Sequence, residues 1–437
     1  MRYAVTRMKE ARSLGRFSIG VGDRFAHQAQ AQLRACMTAE AAGVIVAPVW
    51  NKSNREHMII GSGPADTRAA ADAAVKALGW KHPYFCDADH ITLRTVDRYL
   101  APCDFFTIDV ADRIGTAPEA LMLEAFVRKH AGLIGTLALP GVDAAITVSR
   151  GDLERVGRQY LAAAEEAGRT YRHIEQAKGR ETFLTEVSMD ETDAPQKPVD
   201  LLLILAMLAD AGIPLATIAP KFTGRFNKGV DYVGDTAVFA REFALDIAVL
   251  RYAVNAFGLP AELKLSLHSG SDKFSLYGAI HTSLEQMNAG LHLKTAGTTW
   301  LEEVIGLAEA GGDALVMVKE IYAEALGHRD ELCAPYATVI DIDSAHLPSA
   351  AEANSWNAEQ WTGALRHDPG SSVYNRSLRQ LMHVGFKVAA NLGGAYTEML
   401  EGYEASVAAN VTRNLFDRHI RPVFLGAQCA PRVEETH

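Results

Sequence analysis

The chain has too little cysteine for a disulfide scaffold: five in 437 residues, at Cys36, Cys86, Cys103, Cys333 and Cys429, with no Cys-x-x-Cys pair and no even framework. Reduced thiols of a cytoplasmic protein are expected, and none of the five stands in a pattern that suggests a nucleophile. Long apolar runs are missing too. The most apolar stretch, Leu201 to Leu208, is too short to cross a bilayer, and the charged opening from Met1 to Arg16 has no apolar centre. Neither a membrane span nor a secretory leader is expected. Positive charge is in deficit, 43 Lys and Arg against 53 Asp and Glu, and no basic run offers a nucleic-acid footprint. The phosphate loops GxGxxG and Walker A are absent, so no nucleotide cofactor is expected. A GxSxG elbow is absent as well, which lowers a serine-hydrolase reading.

What is present is an ordinary globular composition, 48% hydrophobic and 22% charged, in a chain long enough for one large barrel with insertions. Strand-like and helix-like segments alternate. Phe17–Asp23, Tyr84–His90, Asp104–Val110, Phe183–Met189, Leu215–Pro220, Leu263–Ser269 and Gly290–Ala296 read as strands, and His383–Ala390 as an eighth. Gly43–Val49 and Ala337–Ile342 are strand-like as well. Eight strands with crossover helices predict an α/β fold of the (β/α)8 TIM-barrel type, in one catalytic domain over residues 1–426. Two insertions break the rhythm: a helical one at 118–179, with an Ala-Ile-Thr-Val stretch inside, and an irregular one at 328–380. Both are candidate lids or contacts of a homo-oligomer. The tail 427–437 is expected to be disordered.

Chemistry-bearing residues gather at the predicted strand ends. Leu263 to Phe274 is the clearest case: period-two alternation runs into His268, Ser269, Gly270, Ser271, Asp272 and Lys273. Asp87 and Asp89 share one face of their strand, Thr107 and Asp109 end the next, and Glu186 pairs with Ser188. Lys221, Arg225 and Lys228 follow another strand, and His292 aligns with Lys294. Barrel interiors are normally branched and apolar, so ionisable residues at one end of six strands need a functional reason. Imidazoles with carboxylates suit a divalent ion such as zinc, nickel or manganese. The preferred ligands are Glu186, His268 and His292, with Asp89 as a fourth candidate. Lys221 and Lys294 are candidates to polarise a carbonyl, move a proton or hold a carboxylate. Arg225, Lys228 and Lys273 are candidates to bind an anionic substrate, helped by backbone N–H groups from Ser269 to Ser271.

Four stretches carry a family resemblance: Phe85 to Ile91, Ala219 to Asp235, Leu267 to Ser275 and His292 to Trp300. Together they resemble the tagaturonate epimerase family over most of the chain. The resemblance implies a barrel-like fold, a divalent metal, and interconversion of tagaturonate with fructuronate; some members act on the neutral ketoses tagatose and fructose. The two keto-acids differ at a carbon β to the ketone, whose hydrogen enolisation cannot remove. Retro-aldol cleavage and re-addition to the other face would invert it, given an electrophile for the oxygens and an acid–base pair. Candidates for proton transfer are Asp89, Asp272 and Lys221; for the substrate carboxylate they are Lys273, Arg225 and Lys228. Transient hydride transfer, a metal-dependent aldolase and a non-catalytic sugar-acid binding protein are the competing readings. The expected partner is a small sugar acid or ketose, with no nucleic acid and no membrane.

Overall fold

The computed structural model describes residues 12–295 and 297–426. Ten strands are present among them: β1 (Phe17–Gly22), β2 (Val46–Asn51), β3 (Phe85–Ile91), β4 (Phe105–Asp109), β5 (Gly135–Ala138), β6 (Ala145–Val148), β7 (Leu184–Ser188), β8 (Leu215–Ala219), β9 (Lys264–Leu267) and β10 (Leu291–Lys294). Eight of them close a parallel barrel in the order β1-β10-β9-β8-β7-β4-β3-β2. β1 and β2 are buried at every residue, as parallel strands covered on both faces must be. Helices between the strands form the outer wall, so this is the predicted TIM-barrel-like α/β fold.

The strand list differs from the sequence expectation in one exchange. His383–Ala390 is not the eighth strand. Its period-two apolar residues belong to two helices, Arg376–Val384 and Phe386–Leu392, separated at Gly385. β10 already pairs with β1, so the closed barrel leaves no edge for another strand. The missing member is β2, which overlaps the strand-like stretch Gly43–Val49 and runs two residues past it; it pairs with β1 and β3 although Pro48 in its middle has no N–H to give. Ala337–Ile342 is turn and coil.

The segment at 118–179 holds the helix Ala120–Lys129, the antiparallel hairpin β5–β6 and the long helix Arg150–Lys178. The hairpin contains the Ala-Ile-Thr-Val stretch as β6. The segment at 328–380 is a run of short helices with irregular joints, and it follows the last strand instead of lying between two strands. It belongs to a helical layer from Thr298 onward with its own apolar cluster, including Trp300, Val304, Tyr322, Trp361, Leu381 and Tyr396. The tail after Gly426, with Cys429, lies outside the described residues, as does Ala296 at the end of one predicted strand. Among the described residues no helix is long and apolar enough to cross a membrane.

Inside the barrel the layers differ sharply. At the amino-terminal end Leu14, Val49, Phe85 and Phe105 form an apolar plug. Moving two residues along β3 and β4 from Phe85 and Phe105 reaches Asp87 and Thr107, and the same step on β7 reaches Glu186. The interior thus changes from apolar to ionisable within one pleat.

One buried charge serves no such site. Asp246, on the helix Thr236–Phe257, is 1% exposed and both carboxylate oxygens lack a hydrogen-bond partner. Burial, helped by the like charge of Glu242, raises its pKa well above the usual carboxylate value. A raised folded-state pKa means stability is lost as pH climbs from the unfolded value toward the folded one. Asp246→Asn is therefore expected to match the parent's thermal midpoint near pH 4, where both side chains are neutral. Near pH 8 it should exceed the parent by about 1–3 kcal/mol. Parallel melting curves at both pH values would contradict this.

Candidate active site at the carboxyl end of the barrel

Lys294, at the end of β10, stands at the centre of the ionisable layer. Its Nζ lies 2.8 Å from Asp87 Oδ2, 2.8 Å from Asp89 Oδ1 and 3.1 Å from Glu186 Oε1, and donates to Thr107 Oγ1 at 2.7 Å. Gly20, across the β1–β10 pair, makes room for it: a Cβ there would stand 2.9 Å from Lys294 Cγ. Glu186 is fixed from both sides, with Thr217 Oγ1 donating to Oε2 at 2.6 Å and Thr107 Oγ1 reaching Oε1 at 3.2 Å. His268 Nε2 meets Glu186 Oε1 at 2.7 Å, while its Nδ1 stands 3.3 Å from Asp190 Oδ2 without the alignment of a hydrogen bond. His292 turns Nδ1 to Ser18 Oγ at 2.9 Å, and its buried Nε2 has no partner.

Charges settle accordingly. Burial opposes the ammonium of Lys294, but Asp87, Asp89 and Glu186 outweigh it and hold its pKa well above the ordinary value. Burial also raises Asp87, to about 7, since it shares one lysine with Asp89 and Glu186. Asp89 and Glu186 go the other way: burial works against their charge, and Lys294 with the neighbouring histidines overcomes it. His292 is pushed down to about 3 by burial and stays neutral. His90 is raised to about 10; Asp89 and the 3.1 Å contact of its Nδ1 with Asp109 Oδ2 outweigh its burial.

The structure thus brings Asp89, Glu186, His268, His292 and Lys294 to one end of the barrel interior. Lys228 reaches the same rim, where its Nζ donates to Ser269 Oγ at 2.7 Å. Four other predicted residues have different company. Lys273 gives its three N–H bonds to the carbonyls of Asn227, Val230 and Ser271, within 2.7–2.9 Å, and is fully buried. Burial lowers its pKa to about 7. Asp272 is fully buried against Arg379, with Nη2 to Oδ2 at 3.1 Å. Lys221 Nζ donates to the Thr192 carbonyl. Arg225 is half exposed and 3.9 Å from Asp341.

Several site residues were not singled out from sequence. Asp190 and His90 belong to the cluster through His268 and Asp109; the ring of His90 lies 5.2 Å from that of His268. Asp190 stands one residue past the predicted strand Phe183–Met189, and His90 lies inside Tyr84–His90 out of phase with Asp87 and Asp89, where a positive φ and a register shift break the alternation. His90, Asp109 and Glu191 form a group of three whose ligand atoms all lie within 4.8 Å of one another. Arg24, two residues past β1, and Asn51, the last residue of β2, carry buried atoms without partners, and nothing in their local sequence marks them. Two cavities, of about 490 and 480 Å3, open at the barrel's amino-terminal end. Their linings, such as Gly15, Glu262 and Leu215, gather no comparable set of acids and bases, and that end of a β/α barrel serves stability.

A closed parallel barrel whose ionisable groups converge at the carboxyl ends of its strands defines a β/α-barrel enzyme. The comparisons with known proteins narrow the class. The family model described as tagaturonate epimerase matches residues 5–392, and the chain belongs to that family of isomerases. A tagaturonate/fructuronate epimerase of Thermotoga maritima is 27% identical over 395 residues, covering 87% of this chain and 74% of that protein. The native structure of the fructuronate-tagaturonate epimerase of Cohnella laeviribosi superposes with a TM-score of 0.77 at 24% identity, covering 94% of this chain and 82% of that one. The same enzyme with two glycerols bound gives 0.77 over 95% and 83%.

The Asp272–Arg379 pair offers a test of how the rim is supported. Arg379 also donates to the carbonyls of Gly229 and Leu365, so it joins two rim loops to the helical layer. Arg379→Met leaves Asp272 buried without its counter-charge, and a loss of about 3–5 kcal/mol in unfolding free energy is expected. Denaturant titration measures it; a loss below about 1 kcal/mol would show that the loops do not depend on the pair.

Proposed function

We propose that this enzyme interconverts D-tagaturonate and D-fructuronate by breaking and remaking the bond between the carbons α and β to the ketone. Family membership supports the substrate pair. The observation that carries the chemistry is the convergence of an ammonium, three carboxylates and two imidazoles in one buried layer. Removing the β-hydroxyl proton turns the β-carbon into an aldehyde as the α–β bond breaks, and the bonding pair becomes an enediolate. Rotation of the aldehyde and re-addition then return the same atoms with the β-carbon inverted.

The chain's own residues suit these tasks. Asp89 is a carboxylate at the mouth, oriented through one oxygen by Lys294, and is our candidate to take and return the hydroxyl proton. Lys294 and Thr107 present donors where negative charge develops. Asp272 and Lys221 are engaged elsewhere, and proton transfer is not assigned to them.

The residues also fit a divalent ion of the zinc, nickel or manganese type. His292 keeps an unpartnered buried Nε2, its other nitrogen tied to Ser18; His268 opposes Glu186 through one nitrogen and faces Asp190 with the other. One nitrogen oriented by a neighbour and one left free is how histidine ligands are held. Glu186, His268 and His292 would hold the ion, which would supply Lewis acidity to the oxygens that gather charge. A second reading places it at His90, Asp109 and Glu191, because these ligand atoms lie within 4.8 Å of one another.

Incubation of metal-loaded protein with tagaturonate, followed by NMR, is expected to show fructuronate, and chelation to abolish it. Absence of inversion with any of the three metals would end the epimerase reading. Free three-carbon products would indicate an aldolase instead. His268→Ala is expected to lose bound metal and activity together, and His90→Ala to keep its metal. The reverse pattern of metal content would move the ion to the second set.

A further inference from the structure

We propose that Arg24 and Lys228 form the seat of the substrate's carboxylate, so that the site selects a sugar acid over the corresponding neutral ketose. The proposal rests on the epimerase reading above and assigns the end of the substrate that does not react. Arg24 lies two residues past β1 and is 6% exposed. Its Nε donates to Glu56 Oε1 at 2.9 Å, and its guanidinium lies 4.0 Å over the ring of Phe386. Glu56 is itself fixed, because it closes a capping box with Ser53 at the start of the helix Asn54–Ile60. A guanidinium clamped this way cannot turn to satisfy its other nitrogens, and Nη1 is buried without a partner. Leaving such a donor unmet is costly, and a bound acceptor removes the cost.

Lys228 is the second donor. Its Nζ meets only the hydroxyl of Ser269, at 2.7 Å, and among the described residues no carboxylate comes within 4.0 Å of it. Burial lowers its pKa, and Asp190, Glu56, Arg24 and Asp89 are the charges near enough to act on it. One stretch of chain joins it to Arg24: Gln380 binds the Lys228 carbonyl, His383 packs against Gly229, and Phe386 carries the Arg24 guanidinium. Its backbone is held by hydrogen bonds to Val339 and Gln380 of the helical layer. His383, whose buried Nδ1 has no partner, feels both Arg24 and Lys228. Asn227, next to Lys228, has an unpartnered buried Nδ2. Arg24 Nη1 and Asn227 Nδ2 are donors without acceptors, and Lys228 is a cation without a counter-charge, which is what an anion site looks like before its anion arrives.

The rival cations are spent. Lys273 has three carbonyls, Lys221 has one, and Arg225 points to Asp341 from an exposed position. A neutral ketose carries a hydroxymethyl group where the uronate has its carboxylate. It would leave Arg24 Nη1 unmet and Lys228 without a counter-charge, and a site built for a charged group rejects the analogue lacking it.

The test uses the full-length, metal-loaded enzyme with tagaturonate and with tagatose. Arg24→Met and Lys228→Met are each expected to raise the KM for tagaturonate on the order of 10- to 100-fold, with a much smaller change in kcat. Arg24→Lys should recover part of the loss. Lys228→Met keeps the Arg24–Glu56 pair intact, so it remains informative if Arg24→Met folds poorly. An unchanged KM for tagaturonate in Lys228→Met, or an equal relative loss with tagatose, overturns the proposal. Failure of the wild type to invert either sugar would sink the epimerase reading and leave the seat to be judged by calorimetry with fructuronate. Weaker binding to Lys228→Met than to wild type upholds it there; equal affinity, or no binding to either, overturns it.

Discussion

An ammonium group inside a closed barrel needs its counter-charges within bonding distance, and Lys294 has Asp87, Asp89 and Glu186 around it. The energetics are severe in both directions. Moving four ionised groups out of water costs several kcal/mol each, and only close pairing with further hydrogen bonds recovers it. Thr107 and Thr217 supply those bonds, and Gly20 gives up its side chain so that the lysine stem fits. Replacing any one member leaves the others buried and uncompensated. The pairing of β1 with β10, the inward turn of β3 and β7, and the apolar plug beneath them all serve this arrangement.

The helical layer from Thr298 onward does the complementary work. It sends Arg379 against Asp272, His383 beside Lys228, Phe386 under Arg24 and His419 to the backbone N–H of Asp272. The rim holds non-glycine residues at positive φ: His90 near the end of β3 at 53°, and Ser269 and Asp272 in the loop after β9 at 50° and 61°. Such conformations persist only where their surroundings fix them. The barrel therefore sets the reactive layer, and the later helices hold the loops that stand over it.

Much of this was legible in the sequence where alternation holds. On β3, β7, β9 and β10 the period of two places Asp87, Glu186, Ser266 and His292 on the interior face, with His268 one residue past β9, as the contacts bear out. Alternation fails one step later. After His268 the chain leaves the strand through positive φ at Ser269 and Asp272, so Asp272 and Lys273 turn into the protein although they adjoin the reactive histidine in sequence. Arg24 was illegible for another reason. Its partners Glu56 and Phe386 lie 32 and 362 residues away, and no local pattern announces a guanidinium clamped between them. The stretch Gly43–Val49, which β2 overlaps, reads as strand-like but falls outside the eight predicted strands; Pro48 is a poor strand residue locally, and closure of the barrel overrides that preference.

The division of charge across the mouth bears on how a six-carbon keto-acid would sit. On the side of Lys294 the carboxylates outnumber the cations in contact, a setting that favours a metal ion or a proton in transit. On the side of Arg24 the balance reverses: Glu56 answers one guanidinium nitrogen, while Nη1 and Lys228 have no acid of their own. A keto-acid carries the same asymmetry along its chain, with a carboxylate at one end and a ketone toward the other. On the proposed reading, seating the carboxylate at Arg24 and Lys228 turns the ketone and the carbon between toward Asp89, Lys294 and His268. Binding energy from the unreactive end then goes into orientation at the reactive one, which lowers the barrier only while both ends are held. Loss of the seat would thus appear first in KM, and in kcat only to the extent that the sugar can turn within the mouth.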